Sequence, residues 1–278
     1  MGGDIIAELN FFSHTIDGSP PWTDVSHTLA VPTSNYAKTP ARIIIHDLRG
    51  KENSFNLDTH AFEVHKYDGH IHDEFDNDSE AQRSYYEELA AFLKKRLGAS
   101  RVVIFNHIFR YRGPTRPIDK CDSNHKHPAI YPHVDFDEAG VRLKMKEVLG
   151  EEEAEKLMQN RFQLINIWKP IGPNPITKNT LTICDYRSLD LEKDIHLSEL
   201  RGSAVAPLNC AISHNAQGAQ KWYYMSEMRS DEMLVFKIFD SYPNVAQLCA
   251  HSGFTNEHVP ETDAQQISIE ARCFVFYD

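Results

Sequence analysis

Residues 267–277 read ISIEARCFVFY. Every second residue is apolar on one face (Ile267, Ile269, Ala271, Cys273, Val275, Tyr277), while the other face carries Ser268, Glu270, Arg272, Phe274 and Phe276. Such a period of two belongs to a β-strand. Working backwards, the second half of the chain holds further runs of this type at 233–239, 221–225, 180–184 and 161–168, with almost no helical relief. The first half adds strands at 5–11, 41–46 and 101–110. Helices are expected at 79–97, with Ser79 as N-cap and Gly98 as stop, and at 137–149 and 151–158, with Asp137 as the cap. In the first helix Tyr86, Leu89, Phe92 and Leu93 recur at helical spacing and should pack on a sheet. Strands that do not alternate regularly with helices argue against βαβ units. They predict a mainly β protein with flanking helices and a double-stranded β-helix core, the jelly-roll or cupin-like arrangement.

The 278 residues are compatible with one domain of this kind. Residues 1–112 would support the core, and 113–278 would form it, with a helical insertion near 137–159. A net charge of −11 disfavours a nucleic-acid partner, which needs clustered Lys and Arg. Five scattered cysteines without CxxC spacing fit reduced thiols and a cytoplasmic location. The N-terminus MGGDIIAELNFF does not read as a secretory signal, and no stretch approaches a membrane span. A small-molecule substrate is expected, and a homo- or heterodimer is left open. No GxGxxG, Walker or GxSxG motif is present.

Among fifteen histidines, two are followed at i+2 by an acid. His72 stands in an acidic loop, where a solvated role is expected, whereas His133 stands in AIYPHVDFD (129–137) at a strand or loop boundary. In extended backbone His133 and Asp135 point to one side and could share an ion. Mononuclear iron(II) oxygenases use two imidazoles and one carboxylate with open positions beside them. The third ligand would be His251 in CAHSGF, and Arg272 would supply a guanidinium for a carboxylate cosubstrate. A plainer role for Arg272 is pairing with Glu270 on a solvated face. Asn166 and Trp168 share a face of 161–171 and could line the site. Arg187 in CDYRS is an accessory or rival carboxylate anchor, and Trp222, Tyr223 and Tyr224 could form an aromatic substrate wall or core. A zinc hydrolase built on His125, His127, His133 and Asp135 is a rival, as is an inactive partner subunit of a related oxygenase.

At these segments the chain resembles the hydroxylase/desaturase family of microbial secondary-metabolite clusters, related to the small subunit of cephem methoxylase and to a fungal gibberellin desaturase. LNFF, IIIHDLRGKENSFNLDTHAFEVHK, GASRVVIFNHIFRYR, PHVDFD, RFQLINIWKPI, LTICDYRSLD, KWYYMSEM, DEMLVFKIFDS, AHSGF and SIEARCFVFYD follow in the family's order. The resemblance implies a double-stranded β-helix oxygenase that binds Fe(II) through His133, Asp135 and His251. It implies 2-oxoglutarate and O2 as cosubstrates, with Arg272 anchoring the former, and hydroxylation or desaturation of a small hydrophobic natural-product intermediate. The chain departs from the family at HVDFD (commonly HVDQS), HSGF (commonly HTAF) and Gln220-Lys221 before Trp222 (commonly HRWYY). These departures leave the triad intact but bear on the substrate pocket. Phe274 also stands where many such oxygenases place a serine, two residues beyond the anchoring arginine.

Overall fold

A computed structural model of the protein describes residues 2–24, 33–112, 121–202, 208–215 and 217–278. In chain order its elements are β1 (Ile5–Thr15), β2 (Trp22–Asp24), β3 (Thr33–Ser34), β4 (Tyr36–Asp47), α1 (Leu57–His60), β5 (Phe62–Lys66), α2 (Glu80–Leu97), β6 (Arg101–Arg112), β7 (His125–Lys126), β8 (His133–Val134), α3 (Glu138–Leu149) and α4 (Glu151–Leu157). They continue with β9 (Phe162–Ile171), β10 (Asn179–Cys184), β11 (Ile195–Arg201), β12 (Leu208–Ile212), β13 (Trp222–Tyr224), β14 (Glu232–Asp240), β15 (His251–Thr255) and β16 (Gln266–Phe276).

The strands form two sheets. The larger runs β1-β4-β13-β10-β15-β8-β12-β11-β2-β3 and the smaller β5-β14-β9-β16-β6-β7. Pairing is mostly antiparallel, as a double-stranded β-helix requires. The alternation in β16 decides how the layers stack. Its even-numbered Phe274 and Phe276 join the cluster between the sheets, with Leu164, Trp168 and Phe236 of the small sheet and Val134, Ile183 and Trp222 of the large one. Its odd-numbered Ile269, Ala271, Cys273 and Val275 face the other way, into a second cluster with Tyr85, Leu89 and Leu93 of α2. Helix α2 thus covers the outer face of the small sheet, and β9, flanked by β14 and β16, is buried along its whole length.

Both predicted caps of the longer helices form: Ser79 accepts from the Gln82 amide and Asp137 from the Gly140 amide. Gly98 ends α2 in the left-handed region at φ 69°, where a side chain is disfavoured. On α2 the fully buried members are Tyr85, Leu89 and Leu93, while Tyr86 and Phe92 are only partly covered. Tyr86 instead turns its hydroxyl to His107 Nδ1 at 2.8 Å. Short strands β2, β3, β7, β8, β11, β12 and β15, and the five-residue β5, were not individually predicted.

Candidate metal centre

Two segments of the large sheet bring the predicted ligands together. β8 and β15 pair so that His133 lies directly opposite His251, and Asp135 follows β8 by one residue. Asp135 Oδ1 is 3.5 Å from His133 Nε2 and 4.0 Å from His251 Nε2. Ligand atoms of all three residues lie within 4.8 Å of one another, the sole such His/Cys/Asp/Glu group among the described residues.

Each imidazole is oriented by its rear nitrogen. His133 Nδ1 meets the Tyr131 carbonyl at 2.8 Å and His251 Nδ1 the Cys249 carbonyl at 3.1 Å. A carbonyl only accepts, so both Nδ1 atoms donate, and both Nε2 atoms present lone pairs to the shared centre. Burial pushes His251 down to about 4, with His133 adding to the effect, so its imidazole is neutral near pH 7. Burial alone would push the Asp135 carboxyl up, but Arg272, His133 and His251 outweigh it and hold the group well below the usual carboxylate range.

The small sheet supplies the second layer. Asn166 of β9 and Arg272 of β16 are cross-strand partners, and both reach Asp135 Oδ2. Asn166 Nδ2 donates at 2.9 Å and an Arg272 terminal nitrogen lies 3.1 Å away. Arg272 also bonds Glu270 Oε1 at 3.0 Å. The pairing of Arg272 with Glu270 is therefore present, but the face is not solvated. The two side chains are 16% and 3% exposed because the even positions of β16 look between the sheets. A β-bulge interrupts the β6–β16 ladder just after Arg272, a device that re-aims side chains beside a site.

The residues suit a ferrous ion. The donor set is two imidazole nitrogens and one carboxylate oxygen, the combination that leaves positions open for other ligands. Asn166 Oδ1 and Arg272 Nε are buried beside it without a protein partner. A cleft opens from the centre, lined by His133, His251, Trp168, Glu270, Arg110 and Arg112 among others.

Gly253 keeps one wall of this cleft in place. A Cβ there would meet the Ala129 carbonyl oxygen at 2.8 Å and Pro128 Cβ at 3.2 Å. Its amide donates to that same carbonyl, drawing the segment before β8 against β15.

Trp168 thus stands in the cleft. Arg187 does not: it is paired with Asp185 and its side chain is 55% exposed. Trp222 and Tyr224 are buried elsewhere and outside the cleft lining. Trp222 packs edge-on to Phe11, and the Tyr224 hydroxyl donates to the Gly3 carbonyl. Strand β10 stands between their strand and β15, which places them in the core. His125 is engaged by Asp122 at 2.8 Å and lies 3.3 Å from Glu74, so the zinc set with His127 does not assemble. The sequence did not point to Arg110 or Arg112 as site residues, and it offered Glu270 only as the partner of Arg272 and Gly253 only within HSGF. The available signal was in FRYR (109–112), two arginines of the same parity ending an apolar strand.

Facing β-sheets with a His-Asp-His centre between them define a non-heme iron, 2-oxoglutarate-dependent oxygenase of the double-stranded β-helix class. The comparisons with known proteins agree. The model of the oxidoreductase/YMDC permease-like domain matches residues 9–276. Hydroxylase/desaturase CTB9 of Cercospora beticola is 33% identical over 84% of this chain and 76% of its own length. The Fe(II)/2-oxoglutarate-dependent dioxygenase nvfI of Aspergillus novofumigatus is 29% identical over 87% of this chain and 86% of its own. The solved structure of the iron and alpha-ketoglutarate-dependent endoperoxidase NvfI superposes with a TM-score of 0.80 at 26% identity, covering 99% of this chain and 98% of that one. The chain belongs to this oxidoreductase family, alongside the hydroxylase/desaturases.

Proposed function

We propose that the chain hydroxylates or desaturates a small, hydrophobic natural-product intermediate, using Fe(II) held by His133, Asp135 and His251 together with 2-oxoglutarate and O2. The observation that carries this reading is the meeting of three ligand atoms within 4.8 Å on paired strands, with each histidine's rear nitrogen already engaged. Iron bound there supplies activation of dioxygen coupled to oxidative decarboxylation of the oxo acid. The chain's own residues do the rest. Asn166 and Arg272 hold Asp135 by one oxygen so that the other faces the imidazoles. Trp168 and the Phe236 ring, 5.0 Å from that of His251, keep this side of the centre apolar and exclude water from it.

A small-molecule reading, rather than nucleic acid or membrane, is supported by the net charge of −11. No helix of the described residues is long and apolar enough to cross a membrane. A cytoplasmic site of action is supported by five cysteines that form no disulfide.

The test is iron stoichiometry and succinate release from 2-oxoglutarate, measured for the wild type and for Asp135→Ala. The wild type should bind one iron and release succinate, and the variant should do neither. Normal succinate release by the variant would overturn the assignment.

A further inference from the structure

The cleft contains a cation that the metal centre does not use. We propose that Arg112, with Ser268, grips the distal carboxylate of 2-oxoglutarate, a proposal that rests on the oxygenase reading above and assigns to Arg112 the anchoring role the sequence suggested for Arg272.

Arg112 ends β6 and is fully enclosed, yet among the described residues no carboxylate forms an ion pair with it. Its guanidinium is held by neutral acceptors: the Asn179 carbonyl, the Arg110 carbonyl at 3.0 Å and the Ser268 hydroxyl at 2.7 Å. It lies 5.6 Å from the Trp168 ring, on a wall of the same cleft as His133 and His251. Burial pushes it down to about 9, with the charge of Arg110 adding to the effect and that of Glu270 opposing it. A cation buried without an ion-pair partner is costly, and a bound carboxylate relieves that cost.

Arg272 is placed differently. Its terminal nitrogen touches both Asp135 and Glu270, so two carboxylates already share it, and one of them is a metal ligand. That contact draws the guanidinium to the ligand carboxylate, beside the metal, whereas the far end of a five-carbon diacid whose near end chelates the metal lies further off. Arg112 has the required offset by two independent measures. Ser268, its partner on β16, is four residues from Arg272, and Asn179, its partner on β10, is four residues from Ile183, which pairs with His251. Four strand residues span roughly 13 Å between Cα positions. Side chains reaching inward from both levels reduce that gap to one that an extended diacid can bridge. Ser268 supplies the hydroxyl that Phe274, two residues beyond Arg272, cannot.

The experiment is anaerobic calorimetric titration of the iron-loaded protein with 2-oxoglutarate and with 2-oxopentanoate, which keeps the chelating end and lacks the distal carboxylate. Iron content is measured alongside. The wild type should prefer 2-oxoglutarate. Arg112→Gln should keep its iron but lose at least about 30-fold in 2-oxoglutarate affinity, the effect of removing one partner of a buried charge pair, with little change for 2-oxopentanoate. Arg272→Gln should chiefly lose iron. Should Arg112→Gln fail to fold, Arg112→Lys and Ser268→Ala carry the test, and unchanged 2-oxoglutarate affinity in both overturns the proposal. Retained discrimination in Arg112→Gln with its loss in Arg272→Gln returns the anchor to Arg272. Absence of 2-oxoglutarate binding by the iron-loaded wild type sinks the oxygenase reading itself.

Discussion

Replacing Asn166 by leucine should separate metal affinity from fold stability. Asn166 is wholly buried in β9 and contributes one hydrogen bond to the centre, from Nδ2 to Asp135 Oδ2 at 2.9 Å. A hydrogen bond to a charged acceptor contributes about 1.5–3 kcal/mol, which at about 1.4 kcal/mol per decade corresponds to roughly 10- to 100-fold in affinity. Asp135 keeps its contact with Arg272 at 3.1 Å, so the carboxylate is not stranded and the loss should fall near the lower bound, about tenfold in iron Kd. The stability term has the opposite sign. Asn166 Oδ1 is buried without a partner, an arrangement that costs about 1–3 kcal/mol, and leucine, branched at the same atom though larger, removes it. The bond to Asp135 is lost from the metal-free protein as well, so the two effects offset and the metal-free variant should unfold close to the wild-type temperature. Its stabilisation by saturating iron should be smaller by about 1.4 kcal/mol, the linkage equivalent of a tenfold weaker site. Calorimetric unfolding with and without iron, combined with competitive chelator titration, reads both quantities. An unchanged iron Kd, or a metal-free protein melting several degrees lower, would show that Asn166 is a packing residue and not a support for Asp135.

Three other outcomes follow from the same structure. Gly253→Ala should destabilise the protein by about 1–3 kcal/mol, the usual cost of overpacking, because the new methyl would sit 2.8 Å from the Ala129 carbonyl; an unchanged denaturant midpoint would contradict the tight approach. Asp240→Asn should cost roughly 3 kcal/mol, the lower end for a broken buried pair because Asp58 still bonds both Lys237 and Arg161, as read by urea unfolding at pH 7. Acid should weaken the wild type at this cluster. Burial opposes the Asp240 charge, but Arg161 and Lys237 hold its folded pKa below the ordinary 3.8. Its contribution is thus complete above that value and is lost as pH falls through the folded pKa. Urea midpoints taken from pH 6 down to pH 3 should show a steeper acid limb in the wild type than in Asp240→Asn, and parallel limbs would remove Asp240 as the cause.

The parts of this molecule legible in the sequence were those set by local chemistry. The alternation in residues 267–277 announced β16, and Ser79 and Asp137 announced two helix starts, because a strand's period and a cap's side-chain bond are fixed within a few residues. The triad was legible for a related reason: i and i+2 in extended chain share a side, so His133 and Asp135 could be read as one unit, with His251 added by its place late in the strand-rich half. Strands such as Ile195–Arg201 and His251–Thr255 were harder. Their residues are polar or short in run, and pairing with neighbours far along the chain is what holds them extended. Arg272 shows the same limit at the level of one side chain. Periodicity placed it beside Glu270, but only the second sheet reveals that this face is interior and that Asp135 lies across from it.

That facing arrangement explains why the site divides its work between sheets. The large sheet carries the candidate metal ligands, His133 on β8, His251 on the adjacent β15 and Asp135 just past β8, so the spacing of the two histidines is fixed by a backbone ladder and not by side-chain packing. The small sheet carries Asn166, Arg272 and Glu270 on β9 and β16, joined by their own ladder. Asp135 is the point where the two meet, one oxygen toward the histidines and the other toward the opposite sheet. Any change in the distance between sheets, from overpacking in the intervening core or from loss of Phe274 or Trp168, should therefore act on the carboxylate, which bonds to the opposite sheet, and on His251 through its ring contact with Phe236. Metal affinity, measured against the gap set by those core residues, should vary chiefly through Asp135, with the bonds from His133 to Tyr131 and from His251 to Cys249 undisturbed because each is made within its own sheet or its flanking turn.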